Sequence, residues 1–223
     1  MGLPMTNILL TGFEPFDQDT VNPSWEVARA LEGWMLEADG VSARVHAVQL
    51  PCVFGQASQV LRQAMQALQP QLVVCLGLAG TRSDITPERV AINVDDARIP
   101  DNAGAQPIDQ PVQVDGPVAY WSTLPIKAIA RDLRVAGIPV SVSNTAGSFV
   151  CNHVFYALMH ALAGQGLAAR GGFVHLPLLP QQAARIPGAP SMALATQVEG
   201  IQVLLRTALT VRDDVQETAG KLH

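Results

Sequence analysis

Hydrophobic and polar positions follow two different periods along this chain. Three segments are almost continuously apolar, as strands are when both faces of a sheet are covered: ILLTGF, QLVVCLGLAG and GGFVHLPLL. The segment VSARVHAVQL alternates apolar with polar or small residues, which predicts a half-buried strand. RVAINVDDARI and IPVSVSN are predicted to be two further strands.

Helical segments lie between these strands, because their apolar residues recur about one turn apart. The first begins near Ser24, a possible N-cap. Helices are predicted over residues 24–38, 53–68, 123–136, 152–162 and 191–211. Pro, Gly, Asp and Gln are frequent in residues 100–120, which predicts a loop or hairpin. The polar tail, residues 212–223, is expected to fray.

Alternating strands and helices predict an α/β fold with a largely parallel sheet and helices on both faces. The chain has no internal repeat and no linker of biased composition, so residues 1–223 are expected to form one domain. In such sheets, active sites gather where strands end and helices begin. We therefore expect the chemistry of this protein just after a strand.

Composition narrows the choice of partners and compartment. Hydrophobic residues make up 48% of the chain and charged residues 15%, which is enough for a sizeable core. The net charge is -5 and Lys and Arg do not cluster, which argues against nucleic acid and anionic membranes as partners. The N-terminus lacks the pattern of a signal peptide, and no segment is long enough to span a bilayer. We expect a cytoplasmic protein.

The three cysteines have neither metal-ligand spacing nor the even number of a disulfide set, so we expect free thiols. Cys75 lies inside the apolar run LVVCLGL and is expected to be a small buried hydrophobe. Cys52 follows a strand and a proline, with no polar neighbours. Cys151 differs, because it follows a predicted strand and begins an amphipathic helix.

Cys151 is the candidate nucleophile. A helix N-terminus has a partial positive charge and free N–H groups, which stabilise a thiolate and can donate to an oxyanion. The small residues Ala146 and Gly147 would let a substrate approach closely. The alternative is a buried thiol on the core face of the helix, and position alone leaves both interpretations open.

A thiolate peptidase needs a base, which is usually histidine. Of the five histidines, His175 lies near the end of a predicted strand and is the best placed. His223 is the last residue, His46 lies within a strand, and His160 lies deep along the helix of Cys151. His153 is two residues from Cys151, a spacing that points two helical side chains apart. A structural role for His175, bonded to backbone, is the alternative.

The acid that orients the base cannot be chosen from spacing alone. The candidates Glu88, Asp95, Asp96 and Asp101 all fall in the segment ERVAINVDDARIPDN, where most acidic side chains are expected to be solvated or bonded within the loop.

Aromatic side chains after the first strand suggest a binding slot. Phe13 and Phe16 enclose the segment GFEPF, and they could form the walls of a slot for a flat neutral ring or simply belong to the core. Asn22 could bond a ligand amide, although NPS is also an ordinary turn before a helix.

These residues lie in segments that resemble pyroglutamyl peptidase I, also called pyrrolidone carboxyl peptidase, a family of cysteine peptidases. The resemblance occurs in family order and covers nearly the whole chain up to about Gln182. The matching segments are LLTGFEPFDQDTVNPSWEVA, GLAGTRSDITPERVAINVDDARIPDNAG, SNTAGSFVCNHVFYALMH and GFVHLPLLPQQ.

The resemblance implies a Cys-His-Glu triad, with Cys151 as nucleophile, His175 as base and Glu88 as orienting acid. It implies that Arg98 and the backbone N–H of Cys151 stabilise the oxyanion. The implied reaction hydrolyses the amide bond after an N-terminal pyroglutamyl residue through a thioester, and it requires no metal or organic cofactor.

The resemblance also implies a substrate pocket. Leu78 would offer its backbone carbonyl to the lactam N–H. Side chains expected to line the pocket are Phe13, Phe16, Asn22, Ile99, Phe149 and Val150. The chain departs from the family at Thr81, where a second glycine is expected, which bears on the geometry of that turn and not on the chemistry. The implied fold is an open α/β/α sandwich with a mixed sheet, and the implied assembly is a homotetramer.

Two other functions are considered. A nucleoside phosphorylase or hydrolase on a similar sheet would bind phosphate or ribose and keep its activity without Cys151. A binding module that has lost catalysis would be expected to have lost at least one of Cys151, His175 and Glu88, and all three are present.

Overall fold

A six-stranded sheet forms the centre of the computed structural model, which describes residues 5–17, 19–164 and 169–219. Its strands are β1 (Met5–Phe13), β2 (Met35–Ala38), β3 (Val41–Leu50), β4 (Leu72–Leu78), β5 (Thr86–Pro87) and β8 (Arg170–Leu176). Their spatial order is β2-β3-β1-β4-β8-β5. The four inner strands are parallel, and the edge strands β2 and β5 run antiparallel to their neighbours. The remaining strands, β6 (Val90–Ile92) and β7 (Ala119–Trp121), pair with each other.

Helices cover both faces of this sheet and make three layers. The described helices are α1 (Pro23–Ala30), α2 (Gln56–Leu68), α3 (Ile126–Val135), α4 (Val150–Gly164), α5 (Pro180–Ala183) and α6 (Leu194–Thr210). The core on one face includes α1, α3 and α6, and the core on the other face includes α2 and α4. The predicted α/β/α sandwich with a largely parallel, mixed sheet is confirmed.

The near-continuous apolar character of β1 follows from this layering. Ile8 and Leu10 are fully buried in the core below α1, α3 and α6, whereas Leu9 is buried on the opposite face against α2 and α4. Because side chains alternate along a strand, both faces need apolar residues. Burying each leucine stabilises the fold by roughly 1.5–3 kcal/mol. Gly12 leaves no side chain between β1 and α1, since a Cβ there would lie 2.3 Å from the carbonyl oxygen of Ser24.

The first predicted helix is shorter than expected. Its N-cap is Asn22 rather than Ser24, and the helix ends at Ala30 rather than at residue 38. Gly33 turns the chain with a φ of +73°, a conformation that glycine adopts without steric cost. Residues Met35–Ala38 then pair with β3 as an edge strand. The other four predicted helices begin and end within three residues of the observed bounds.

Two predicted strands are largely absent. RVAINVDDARI contributes β6, which lies outside the main sheet, and one isolated antiparallel bridge from Asp95 to Gln110. IPVSVSN forms isolated parallel bridges, Ile85 with Val140 and Glu88 with Ser143, rather than a continuous ladder. These bridges bring the acidic segment beside the turn that precedes α4, and this proximity matters for the site.

The described part of the tail, residues 212–219, has no helix or strand. The carboxylate of Asp214 accepts hydrogen bonds from the backbone N–H groups of Lys127 and Ala128, in the first turn of α3. Residues 220–223, and with them His223, lie outside the described residues. None of the described helices is long and apolar enough to cross a membrane.

Candidate active site

Cys151 is the second residue of α4 and is partly exposed. At this position no carbonyl of the helix itself can accept from its backbone N–H. The turn before it bends at Gly147, where φ is +79°. The Ser148 hydroxyl donates to the carbonyl of Asp96 at 2.8 Å, and the amide of Asp96 donates to the carbonyl of Ser148 at 2.9 Å. These bonds hold the head of α4 against the segment that carries Arg98.

The thiol of Cys151 occupies space left by a glycine in the sheet. A Cβ on Gly77 would lie 2.9 Å from the Cys151 sulfur and 2.7 Å from the Phe173 ring. Gly77 is the register partner of His175 in the parallel pair β4–β8. Because neighbouring strands lie about 4.8 Å apart, the Cys151 sulfur and the His175 imidazole lie close together at the carboxyl ends of β4 and β8.

His175 is oriented by Glu88. The ring Nδ1 lies 2.7 Å from Oε1 of Glu88, and both side chains are buried. An ionised carboxylate can only accept, so Nδ1–H donates and the neutral ring keeps Nε2 as an acceptor. Glu88 follows β5, and its amide donates to the carbonyl of Phe173 at 2.9 Å. The bond to β8 places the carboxylate behind the imidazole.

Arg82 contacts the same carboxylate. Its Nη1 donates to Oε1 of Glu88 at 2.6 Å and also to the hydroxyl of Thr86, and Nη2 donates to the carbonyl of Thr145 at 3.0 Å. Sequence patterns do not select Arg82, because its contact with Glu88 depends on the turn between β4 and β5. A basic residue that follows a glycine-containing turn at the end of a strand is the sequence feature that would have identified Arg82.

Burial favours the neutral forms of the cysteine and histidine. It lowers the pKa of His175, against the opposing effect of Glu88. It raises the pKa of the Cys151 thiol, with Cys52 and Glu88 acting in the same direction and Arg82 against it. Burial of Cys151 thus opposes the thiolate that the helix N-terminus is expected to stabilise, and Arg82 offsets part of this effect.

Cys151 and His175 line one cavity of 590 Å³. The predicted site residues that also line it are Phe13, Phe16, Asn22, Leu78, Arg98, Ile99 and Phe149. Val150 is the exception, because its side chain is fully buried in the core around α2 and α4. Glu88 lies behind the cavity wall rather than in it. Ala146, one of the two small residues expected to let a substrate approach, also lines it. Lining residues that the sequence did not predict are Asp17, Asp19, Val21, Cys52, Gly80 and Ile186.

Aromatic rings form one wall of this cavity. The rings of Phe16 and Phe149 have centroids 5.2 Å apart, and Phe54 packs edge-on against Phe149 at the same distance. Phe13 packs against Phe173, with centroids 6.4 Å apart. Such tilted and edge-on contacts avoid the less favourable face-to-face arrangement of aromatic pairs.

Asn22 serves the turn before α1. Its Oδ1 accepts from the amide of Ser24 at 3.1 Å and from the Ser24 hydroxyl at 2.8 Å, and its Nδ2 donates to the carbonyl of Glu14 at 3.0 Å. The second N–H of Nδ2 has no acceptor among the described residues, and Asn22 lines the cavity. The two interpretations of Asn22 are therefore compatible.

The turn that contains Thr81 closes without the expected glycine. The amide of Arg82 donates to the carbonyl of Ala79 at 3.0 Å, and Thr81 itself is exposed. A side chain at this position points to solvent and leaves the contacts of Arg82 intact.

The remaining histidines that the structure describes have other partners. His46 Nε2 contacts Asn7 at 3.2 Å, and His160 Nδ1 contacts the Tyr120 hydroxyl at 2.9 Å. His153 Nδ1 contacts Asp95 at 2.8 Å.

The other acidic candidates also lie apart from His175. Asp101 accepts from the backbone amides of Phe54, Ala103 and Ala105, and Asp96 is exposed. Within residues 5–17, 19–164 and 169–219, no group of three or more His, Cys, Asp or Glu side chains could hold a metal ion.

Relatives of known name match over almost the whole chain. A protein of Cupriavidus taiwanensis named pyrrolidone-carboxylate peptidase is 56% identical over 98% of this chain and 100% of its own length. The protein of the same name from Klebsiella pneumoniae is 57% identical, with the same coverage of both chains.

Solved structures agree with these relatives. The pyroglutamyl peptidase I of Bacillus amyloliquefaciens is 45% identical and superimposes with a TM-score of 0.90, over 94% of this chain and 100% of its own. The pyrrolidone carboxyl peptidase of Thermococcus litoralis is 36% identical, with a TM-score of 0.91 over 96% of this chain and 99% of its own. The profile of the pyroglutamyl peptidases matches residues 6–211, and this chain therefore belongs to the pyroglutamyl peptidase family.

Proposed function

We propose that this protein is a cysteine peptidase that hydrolyses the amide bond after an N-terminal pyroglutamyl residue, with Cys151 as nucleophile, His175 as base and Glu88 as orienting acid. The single observation that carries the proposal is the geometry around His175. A buried His–Glu pair leaves Nε2 as an acceptor beside a cysteine at a helix N-terminus, in a cavity walled by aromatic rings.

Acylation begins from the neutral pair. The Cys151 sulfur attacks the pyroglutamyl carbonyl carbon as its proton passes to Nε2 of His175. Glu88 keeps the ring in the tautomer that can accept this proton and stabilises the imidazolium that forms. The imidazolium then protonates the leaving amine, the C–N bond breaks, and the pyroglutamyl group stays on sulfur as a thioester.

Deacylation reverses the proton path. Neutral His175 takes a proton from water, whose oxygen attacks the thioester carbonyl. The imidazolium returns the proton to sulfur as the C–S bond breaks, which frees pyroglutamate and restores the thiol.

The oxyanion of both steps is stabilised by the backbone N–H of Cys151 and by Arg98. The N–H is one of the first four in α4 and has no acceptor within the helix. Arg98 lines the same cavity and supplies positive charge. One donor of this kind typically contributes about 3–4 kcal/mol to transition-state stabilisation.

The cavity suits a flat, uncharged ring. Phe13, Phe16 and Phe149 contribute apolar faces, and the backbone carbonyl of Leu78 would accept from the lactam N–H. The free N–H of Asn22 is a donor for a ligand carbonyl. A prolyl residue has the same shape but lacks the lactam carbonyl, so a donor of the pocket would lose its partner, which is a strong basis for rejection.

Release of a fluorescent amine tests this function directly. Purified, reduced protein is given the pyroglutamyl, prolyl and glutamyl amides of one fluorophore, beside Cys151→Ala and Cys151→Ser. We expect cleavage of the pyroglutamyl amide alone and its loss in both variants. Activity that survives in Cys151→Ala would favour another hydrolase mechanism, and no cleavage by folded, reduced protein would leave a binding module as the better explanation.

A homotetramer in the cytoplasm is proposed as the working form. Its support is the sequence resemblance, the three free thiols and a group of exposed apolar side chains, namely Ile108, Val114, Val118 and Trp121. Light scattering with size-exclusion chromatography tests the assembly, beside Val118→Asp, and a monomeric wild type would contradict it. Cell fractionation tests the compartment.

A further inference from the structure

We propose that Arg82 is a positioning residue of this site, whose guanidinium fixes Glu88 for His175 and joins both to the turn that carries Cys151. This inference deepens the proposed function, because it gives Arg82 a part in the same reaction.

The carboxylate of Glu88 depends on Arg82 for charge compensation. One oxygen, Oε1, accepts from Nη1 of Arg82 at 2.6 Å and from Nδ1 of His175 at 2.7 Å. The side chain of Glu88 is fully buried, and its second oxygen has no hydrogen-bond partner among the described residues. A buried carboxylate without a cation nearby is strongly disfavoured, so Arg82 offsets the cost of burying the Glu88 carboxylate and fixes its Oε1 as an acceptor.

The other arm of the guanidinium reaches the nucleophile's turn. Nη2 donates to the carbonyl of Thr145 at 3.0 Å, and the Thr145 hydroxyl accepts from the amide of Gly147 at 3.0 Å. Gly147 makes the bend that leads into α4. The planar, rigid guanidinium of Arg82 can donate to Glu88 and to Thr145 at the same time. A lysine ammonium on its flexible side chain would keep the charge but not this geometry.

The charge of Arg82 also acts on the reacting groups. Burial is the largest influence, and it lowers the pKa of His175 and raises the pKa of Cys151. Glu88 raises both pKa values, Cys52 and Cys75 also raise that of Cys151, and Arg82 lowers both. The turn from Ser143 to Phe149 contributes no titratable side chain. Loss of the charge raises both pKa values, so less neutral imidazole is present at acidic pH.

Two variants separate charge from geometry, and a neighbouring arginine serves as control. Arg82→Gln removes the charge, and Arg82→Lys keeps it. Arg89→Gln is the matched control, because Nε of Arg89 donates to Asn144 at 2.9 Å, whereas the Glu88 carboxylate forms its ion pair with Arg82. For the wild type and each variant, kcat/KM for a pyroglutamyl amide is measured as a function of pH, and the melting temperature is measured as well. In parallel, the rate of Cys151 alkylation by iodoacetamide is measured against pH by mass spectrometry.

Arg82→Gln is expected to move the acidic limb of both profiles upward by about one pH unit, the lower end of the effect of a nearby charge. On that limb one unit corresponds to an about tenfold lower rate at a fixed pH. Arg82→Lys should keep the position of the limb and lower kcat at the optimum. Arg89→Gln should change neither.

One result would overturn the proposal by showing a purely structural role. In Arg82→Gln the melting temperature and the fraction of protein that can be alkylated would fall, while the acidic limbs of the kcat/KM and alkylation profiles would stay at their wild-type pH. If Arg82→Gln does not fold, Arg82→Lys provides the test. A wild-type kcat together with a wild-type acidic limb in Arg82→Lys would contradict the positioning role. The alkylation profile needs no substrate. A shifted alkylation limb in a protein that cleaves no pyroglutamyl amide would therefore support Arg82 and refute the proposed function.

Discussion

Two buried histidine–carboxylate pairs lie near Cys151, and they differ in what the second ring nitrogen meets. His175 Nδ1 lies 2.7 Å from Glu88, and His153 Nδ1 lies 2.8 Å from Asp95. The two distances are almost the same, and all four side chains are buried. These two properties alone therefore do not identify the base.

The second nitrogen of His153 is already occupied. Its Nε2 accepts from the amide of Gly55 at 3.2 Å and lies 3.2 Å from the Ser58 hydroxyl. The pair thus ties α4 to the start of α2. His175 instead lies on the cavity with Cys151. The difference shows that a histidine can serve as a base here only where its free nitrogen faces a substrate site.

The sharpest test of this comparison removes each imidazole. We expect His175→Ala to lower kcat/KM by about 10²–10⁴-fold, the usual contribution of a general acid–base group. His153→Ala should change kcat/KM only a few-fold, but it leaves Asp95 and the amide of Gly55 without partners and should cost about 1–3 kcal/mol of unfolding free energy. Amide-release kinetics and urea unfolding measure the two effects, and a large kinetic loss in His153→Ala would contradict the assignment.

The acids can be compared in the same way. Glu88→Gln should lower kcat by roughly 10²-fold, because an amide presents an N–H to Arg82 and no longer stabilises the imidazolium. Asp95→Asn should leave kcat near the wild-type value and lower the melting temperature. Both variants are assayed at the wild-type optimum. Equal kinetic losses would show that the two pairs do not differ in function.

Gly77 tests whether the thiol needs the space beside His175. Gly77→Ala places a methyl group 2.9 Å from the Cys151 sulfur and against Phe173, and we expect overpacking to cost about 1–3 kcal/mol. Displacement of the thiol should lower kcat/KM about tenfold, an effect of about 1.4 kcal/mol on the barrier. Gly164→Ala, at the far end of α4, is the control, because a methyl group there meets no described atom within 4 Å outside its own helix backbone and its chain neighbours. Wild-type kinetics in Gly77→Ala would show that the sulfur tolerates the methyl group.

The smallest effect concerns pH. Burial lowers the pKa of His175, and the base must be neutral, so activity should fall only as pH drops through a value below the ordinary value of about 6.5 for histidine. The pH profile of kcat/KM measures this limb. A limb well above that value would mean that the imidazole is charged in the free enzyme and that the pair starts as thiolate and imidazolium.

Sequence patterns predicted the inner strands and most helices, because β1, β4 and β8 are buried on both faces and have to be apolar. The edge strand β2 was missed, since LEGWMLEA has helical spacing and only the turn at Gly33 and pairing with β3 decide otherwise. Edge strands are selected by their neighbours in space rather than by their own pattern.

The site could be predicted only in part for a similar reason. Cys151 and His175 are found by position, because each lies where an element begins or ends. Glu88 and Asp95 lie seven residues apart in one segment, yet they meet different histidines. That choice depends on the bond from Glu88 to Phe173 and on the bridge from Asp95 to Gln110, and spacing along the chain encodes neither. Family resemblance supplied the assignment instead.

The pairing of β4 with β8 has a consequence for biosynthesis. Leu72 pairs with Arg170, so a central strand waits for a partner from the last third of the chain. During translation Cys151 is made before His175, and until β8 docks, the imidazole and the acid that orients it cannot meet the sulfur. Contacts between such distant segments form late because loop closure is entropically costly. If His175 is the base, a nascent chain that ends before β8 is expected to contain Cys151 without peptidase activity, and activity is expected to arise only when β8 completes the sheet.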